Sequence, residues 1–447
     1  MKIYLVLLLL LAAAVVFPAA AQDASFPSPT PIAGTPLDPV FAADAVWETS
    51  PDQLIQNNPA LRFRWLSTTH DSAQTILKGA TLFGLPICQT IIHFEGDKLN
   101  DVTVLIYNRG DAGEISRATY EGMVKNAVTA ISAATKTKFT ARGKDVKSAV
   151  RAEGLTWETE KSTYLLEYSA TRDLTPSGIP FRAEFIRLRI APRAKPKSLF
   201  EDSRAESKKP DPFRGPSHVV TDSVSGDVSI KDIPMVDQGE KGYCVVAACE
   251  RVLRYYGIKV DANELAQLAN SSATVGTSVE AMTESLKKLS FRLKFRITTG
   301  NQLDVPTLLA LIRDYNLAAR RAKSALIPAP GHILNIQQIY AQMKGDLLRE
   351  VRTKNRSPYM AFKRGITAQV GKGLPLLWSV MLGIIPEPGA NPPIPSGHMR
   401  LIIGYNEKTD EILFSDSWGM GHELKRMPAA DAWTITTSTS SIEPFFQ

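Results

Sequence analysis

The run Asp237-Gln238-Gly239-Glu240-Lys241-Gly242-Tyr243-Cys244 leads into an apolar stretch from Val245 to Tyr256, so the cysteine stands where a helix would begin. Unpaired backbone N–H groups and the helix dipole at such a position favour a thiolate. Far downstream, Gly397-His398 precedes the strand-like run Met399-Arg400-Leu401-Ile402-Ile403-Gly404-Tyr405, and Asp416-Ser417-Trp418-Gly419 follows. A glutamine ahead of a helix-opening cysteine, a distant histidine and an aspartate before Ser-Trp-Gly form one constellation. It requires a fold that sets a helix end against a sheet, and it implies hydrolytic chemistry through a thiol.

In that chemistry His398 would share a proton with Cys244, protonate the leaving group and later activate water. Asp416 would orient the imidazole and fix its tautomer. The Gln238 side-chain amide, with the backbone N–H of Cys244, would form an oxyanion hole. Each residue also has a plainer role: Cys244 as a small buried side chain, His398 as a strand-edge histidine, Asp416 as a turn residue, Gln238 as a loop amide. His332, in a Pro-Gly turn, and His422, close after Asp416, rank below His398. Cys249 falls on a different helix face from Cys244, and His70 and His93 are isolated.

Gln238 through Cys244 resembles the active-site signature of papain-like cysteine peptidases. Tyr255-Tyr256-Gly257-Ile258 with Glu264-Leu265-Ala266, Gly276-Thr277-Ser278 and Gly373-Leu374-Pro375 are closer to one branch, the bacteriocin-processing, double-glycine-leader type. The resemblance covers roughly residues 231–435. It implies an α+β papain-like domain, with helices bearing Cys244 and an antiparallel sheet bearing His398 and Asp416. It also implies hydrolysis of peptide bonds through a thioester, with no metal or organic cofactor. Papain carries Asn where this chain has Asp416, whereas the narrower branch commonly carries Asp. The segment Ala318 to Tyr359 reads as an insertion. A catalytically silent peptide-binding protein and a thiol acyltransferase are the alternatives on the same fold.

At 447 residues, 44% hydrophobic and 22% charged, the chain is globular and long enough for more than one domain. Lys2, the apolar core Leu5 to Phe17 and Ala19-Ala20-Ala21 before Gln22 read as a secretory signal over residues 1–21, so a secreted or periplasmic protein is expected. No later apolar run is long enough for a membrane span. Residues 45–192 read as a small α+β accessory unit or pro-domain: a hairpin around the polar turn Glu95 to Asp101, a helix with Tyr120, Val124, Ala127, Val128 and Ile131 on one face, and two more strands. In the last strand Ile186, Leu188 and Ile190 alternate with Arg187 and Arg189, the pattern of a half-buried strand.

Residues 193–228 read as a basic Pro/Ser-rich linker, with a surface for acidic contacts, and the peptidase-like domain is expected over 229–447. The net charge of +7 comes without aromatic–basic interleaving, so nucleic acid is not an expected partner; a peptide or protein substrate is. Three cysteines leave at least one unpaired within the chain, and a Cys88–Cys249 bridge stays open.

Overall fold

The computed structural model describes residues 36–41, 44–142, 150, 152–171, 181–193, 213–239, 242–258, 260–271, 276–328, 334–390 and 392–445. The expected signal segment, most of the expected linker and His332 lie outside the described residues. Among the described residues no helix is long and apolar enough to cross a membrane.

The N-terminal unit is built on an antiparallel sheet. Its strands are β1 (Arg64–Trp65), β2 (Ser72–Thr75), β5 (Gln89–Glu95), β6 (Lys98–Asn108), β7 (Thr140–Arg142), β8 (Glu153–Glu158), β9 (Ser162–Thr171) and β10 (Arg182–Pro192). A separate short pair, β3 (Thr81–Leu82) and β4 (Leu85–Pro86), lies between β2 and β5 in the chain. The large sheet runs in the order β1-β2-β5-β6-β10-β9-β8-β7. The hairpin expected at Glu95 to Asp101 is tighter than the polar run implied, with Glu95 already paired to Lys98. The helix Arg117–Thr135 starts at Ser116, whose side chain accepts the Thr119 N–H, and buries Tyr120, Ala127 and Ile131 against one sheet face.

The alternation in β10 is misleading as a guide to burial. Ile186, Leu188 and Ile190 are buried as expected, yet Arg187 on the other face is also only 1% exposed. That face meets the C-terminal unit. Arg187 donates from Nε to Glu167 at 2.8 Å and from Nη2 to Glu264 at 2.9 Å, and also pairs with Asp261. Asp261 is at the same time the N-cap of the helix Ala262–Leu268, accepting from the Asn263 and Glu264 N–H groups. Period-2 patterning reports which residues are apolar; it cannot report that charges on the polar face will meet opposite charges.

The C-terminal unit joins helices to a second antiparallel sheet. Its strands are β11 (Val219–Thr221), β12 (Asp227–Ile230), β13 (Phe295–Gln302), β14 (Leu376–Leu382), β15 (Ser396–Asn406), β16 (Glu411–Ser415), β17 (Lys425–Pro428) and β18 (Thr436–Pro444). The order is β11-β12-β15-β14-β18-β13, with β16 pairing both β15 and β17. The expected boundary at 229 is therefore too late. Residues 219–221 and 227–230 are already sheet, and Phe213 packs edge-on against Tyr255 and Tyr256. Polar composition hid these strands, because β11 is a largely exposed edge.

Strand β15 divides its far end between two partners, β12 and β16, around Gly404. A Cβ there would sit 2.4 Å from the Val228 carbonyl oxygen, so glycine permits the close approach. Within the Ala318 to Tyr359 segment and beyond it lie the helices Ile336–Ala341, Gly345–Lys354 and Arg356–Gly371. The helix Cys244–Tyr255 begins at the nucleophile candidate. It packs through Val245, Val246, Ala248, Cys249, Val252 and Leu253 onto Met399, Leu401 and Ile403 of β15.

The interface charges make a testable statement about stability. Replacing Arg187 with Met removes the shared cation from Glu167, Glu264 and Asp261 and leaves Glu167 only Arg142 and Arg189, so a loss of up to about 3–5 kcal/mol is expected, to be read as a lowered denaturation midpoint. Burial raises the Glu167 carboxyl, but the charges of Arg187 and Arg189 outweigh it and bring it down to about 2. A depressed carboxylate stabilises above its unfolded pKa, about 4.3, and loses that contribution as pH falls toward the folded value. The difference between wild type and Arg187→Met should be full at neutral pH and close between about pH 4 and 2.

Candidate active site

The site forms where the start of the Cys244 helix meets the entry of β15. His398 pairs in register with Val380 of β14, which fixes its height on the sheet. The Cys244 thiol lies within electrostatic reach of the His398 ring and of the Met399 and Val245 N–H groups. On its other side, His398 Nε2 donates to Asp416 Oδ1 at 3.0 Å. Cys244, His398 and Asp416 are 8%, 7% and 0% exposed, so their mutual contacts replace water rather than compete with it.

Burial alone pushes the Cys244 thiol up, but the hydrogen bond and charge of His398, then the two backbone N–H groups, leave it below its ordinary value. For His398, burial favours the neutral ring. The hydrogen bonds to Asp416 and Cys244 and their charges outweigh this and raise its pKa. The two titrations move toward each other, which favours a thiolate–imidazolium pair. Cys249 is the internal control: burial, with the Cys244 charge behind it, pushes its thiol up to about 12. It is an inert core residue. Cys88 is half-buried with its thiol 3.5 Å from the Ile106 carbonyl oxygen, and all three cysteines are free, so the Cys88–Cys249 bridge does not form.

Asp416 is the most heavily partnered residue of the site. Besides His398, it accepts from Arg400 Nε at 2.8 Å and Lys425 Nζ at 3.2 Å. Burial works against its charge, but Arg400 first, then His398 and Lys425, hold the carboxyl well below the usual carboxylate range. Arg400 is fully buried, lies over the Phe414 ring and bonds Glu387, at 2.9 Å to its nearer oxygen. Glu387 belongs to the Pro/Gly-rich segment before His398, so that segment is tied to the site through Arg400 rather than merely lying beside it. Trp418 stacks on the His398 ring with centroids 4.6 Å apart.

Gln238 reaches the same place by its backbone, its N–H donating to the Ser417 carbonyl at 3.0 Å. Its side-chain Oε1 is buried and unpartnered among the described residues. His422 does not rival His398: its ring meets Trp418 edge-on, and its carbonyl accepts the Asp416 N–H. His70 stacks on Trp65 and His93 pairs with Asp101, both within the N-terminal unit.

Sequence reasoning missed Arg251, Arg400, Glu387 and Lys425. Arg251 sits in the apolar helix opened by Cys244, 1% exposed. It donates from Nε to the Pro234 carbonyl at 2.9 Å, from Nη1 to the Asp416 carbonyl at 2.9 Å and from Nη2 to Ser415 Oγ at 2.6 Å. One guanidinium thus joins the nucleophile helix, the Asp416 turn and the segment leading to Gln238. The available signal was an arginine inside each of two apolar runs, since buried arginine requires partners.

A helix-borne cysteine beside a strand-borne histidine, with an aspartate just past β16, is an arrangement similar to that of papain-like cysteine peptidases. Residues 232–316 match the Peptidase C39 family, which accounts for the nucleophile helix and the helices that follow it. Among solved structures, xylellain, a cysteine protease from Xylella fastidiosa, is 13% identical over 52% of this chain and 90% of that chain, with a TM-score of 0.27. That likeness is too loose to bear on the assignment. No curated protein matches the chain.

The contrast between the two thiols of one helix is directly measurable. Iodoacetamide should alkylate Cys244 well before Cys249, with the Cys244 rate retained at pH values where an ordinary thiol is protonated. Peptide mapping of the labelled protein as a function of pH checks it. Equal labelling of both cysteines would count against an activated Cys244.

Proposed function

We propose that the protein is an exported cysteine peptidase in which Cys244, His398 and Asp416 act as a triad and Gln238 completes the oxyanion hole. The observation that carries this is the buried His398 ring, which donates to Asp416 at 3.0 Å and lies within electrostatic reach of the Cys244 thiol. The thiolate attacks a peptide carbonyl carbon, and the developing oxyanion is met by the Cys244 backbone N–H and the Gln238 amide. As the C–N bond breaks, His398 gives its proton to the leaving amine. Water then attacks the thioester, His398 takes its proton, the C–S bond breaks, and the acid product leaves with the thiol restored.

Arg400 and Lys425 hold the Asp416 charge in place, so the carboxylate orients the ring without taking its proton. A peptide-binding protein with no catalysis gains nothing from a lowered thiol pKa beside a buried aspartate, and this favours the hydrolase. An acyltransferase would share every step up to the thioester. Trapping with an amine acceptor separates the two. Export is inferred from the signal-like residues 1–21, and the bacteriocin-processing kinship from Tyr255-Tyr256-Gly257-Ile258 with Glu264-Leu265-Ala266, Gly276-Thr277-Ser278 and Gly373-Leu374-Pro375. A contact with acidic surfaces through the basic segment 193–209 remains part of this proposal.

Cys244→Ala should abolish hydrolysis of a protein substrate while the melting temperature stays near wild type; Cys249→Ala should keep activity. Exchanged effects would reassign the nucleophile.

Asp416→Asn keeps an acceptor for the ring N–H but removes the charge that raises His398. Arg400 and Lys425 would then face the imidazolium uncompensated, so its pKa falls and the alkaline limb of the pH–rate profile moves to lower pH. A loss of at least about tenfold is expected, the equivalent of one pKa unit. Asp416→Ala should be worse, because the ring is freed to turn. Wild-type activity in both variants would remove Asp416 from the site.

A further inference from the structure

We propose that the N-terminal unit is a permanent part of the peptidase site, not a removable pro-segment, and that Gln74 and Gly110 are positioning residues for the segment 237–243. This rests on the triad reading above and extends it to a part of the chain outside the matched family region. The segment carries Gln238 at one end and delivers the chain into Cys244 at the other.

At the first end, Gln74 of β2 is 5% exposed and donates from Nε2 to Asp237 Oδ2 at 2.6 Å. Its own Oε1 accepts from Gln89 Nε2 of β5 at 2.7 Å. The amide orientation is forced, because the reverse would set an oxygen against the Asp237 carboxylate. The other oxygen of Asp237 accepts the Gly239 N–H at 2.9 Å and so shapes the turn on which Gln238 stands. One carboxylate thus couples the oxyanion residue to the N-terminal sheet.

At the second end, Tyr243 is 3% exposed and lies against Gly110, whose N–H is held by Asn108 Oδ1 at 2.7 Å. A Cβ on Gly110 would stand 2.5 Å from both Cζ and the hydroxyl oxygen of Tyr243. Tyr243 is the residue before Cys244 and the N-cap of its helix. The N-terminal unit therefore backs the segment at both ends.

Its contacts named above fall on the supports of the site, and among the described residues the groups that act on the thiol, His398, Met399 and Val245, belong to the C-terminal unit. A segment that inhibits and then leaves would be expected to cover the thiol. This one holds the segment at Asp237 and Tyr243, and the buried Arg187 ion pairs fasten it to the C-terminal unit.

The test uses the full chain carrying Gln74→Leu or Gly110→Ala, with Cys244→Ala as reference. Three quantities are read: amide hydrogen exchange of residues 237–243, hydrolysis of fluorescein-labelled casein, and iodoacetamide alkylation of Cys244. The expected result is exchange at least about tenfold faster in both variants, since Gln74→Leu removes the bond to Asp237 and the Gly110→Ala methyl displaces Tyr243. Casein turnover should fall by about 10²–10³ in kcat, the usual cost of an oxyanion donor, with KM nearly unchanged.

Alkylation within about twofold of wild type would show that the thiol–histidine pair is intact, which general unfolding would not leave. Gln74→Leu removes atoms rather than adding them, so it carries the test if Gly110→Ala does not fold. Wild-type exchange in Gln74→Leu overturns the proposal, and this arm needs no substrate. Wild-type turnover in Gln74→Leu, with Cys244→Ala inactive, also overturns it while leaving the triad standing. Casein hydrolysis that survives Cys244→Ala is a failure of the triad itself.

Discussion

The site depends on keeping one carboxylate charged where no water reaches it. Asp416 has no exposed surface, and an isolated carboxylate in such a place would take up a proton. Arg400, Lys425 and His398 prevent that. Each of those partners imposes a further condition. Arg400 must itself be buried, so it requires Glu387 and the face of Phe414, and Glu387 fixes the segment before β15. His398 must stand at one height on β15, which the pairing with β14 sets. Much of the local architecture follows from the cost of desolvating a single charge.

Around that centre the protein repeats the same device with arginine. Arg251 ties the nucleophile helix to the backbone of the Asp416 turn, and Arg187 ties the N-terminal sheet to the helix after the nucleophile. A guanidinium suits both places because it is planar, stays charged when buried and offers several donors in a rigid fork. The same residue type thus aligns parts of the site at short range and joins two units at long range. The Cys244 and Cys249 thiols show how local such effects are: one helix holds both, and only the first touches a histidine and free N–H groups.

The legible parts were those whose signal is local. The helix at Cys244, the hairpin around Glu95 and the strand carrying His398 each follow from spacing over a few residues. Cys244, His398, Asp416 and Gln238 could be chosen as candidates because nucleophile, base and orienting chemistry restrict the residue types. Strands β11, β12, β13 and β18 were not legible, since their polar residues carry no apolar alternation strong enough to mark them. The start of the C-terminal unit was misplaced for that reason.

Sequence by itself determined the class of chemistry, because only certain side chains can act as nucleophile, acid–base and oxyanion donor, and their order along the chain is a record independent of geometry. It also determined an α+β arrangement, because the helix and strand periods are covalent facts of spacing. Tertiary structure alone decided which charges are buried together. Arg187 on a strand and Arg251 on a helix carry no mark of their partners, which lie 77 and 164 residues away along the chain for Glu264 and Ser415. Electrostatic pairing is a property of distance in space, and folding sets that distance with no local pattern to announce it.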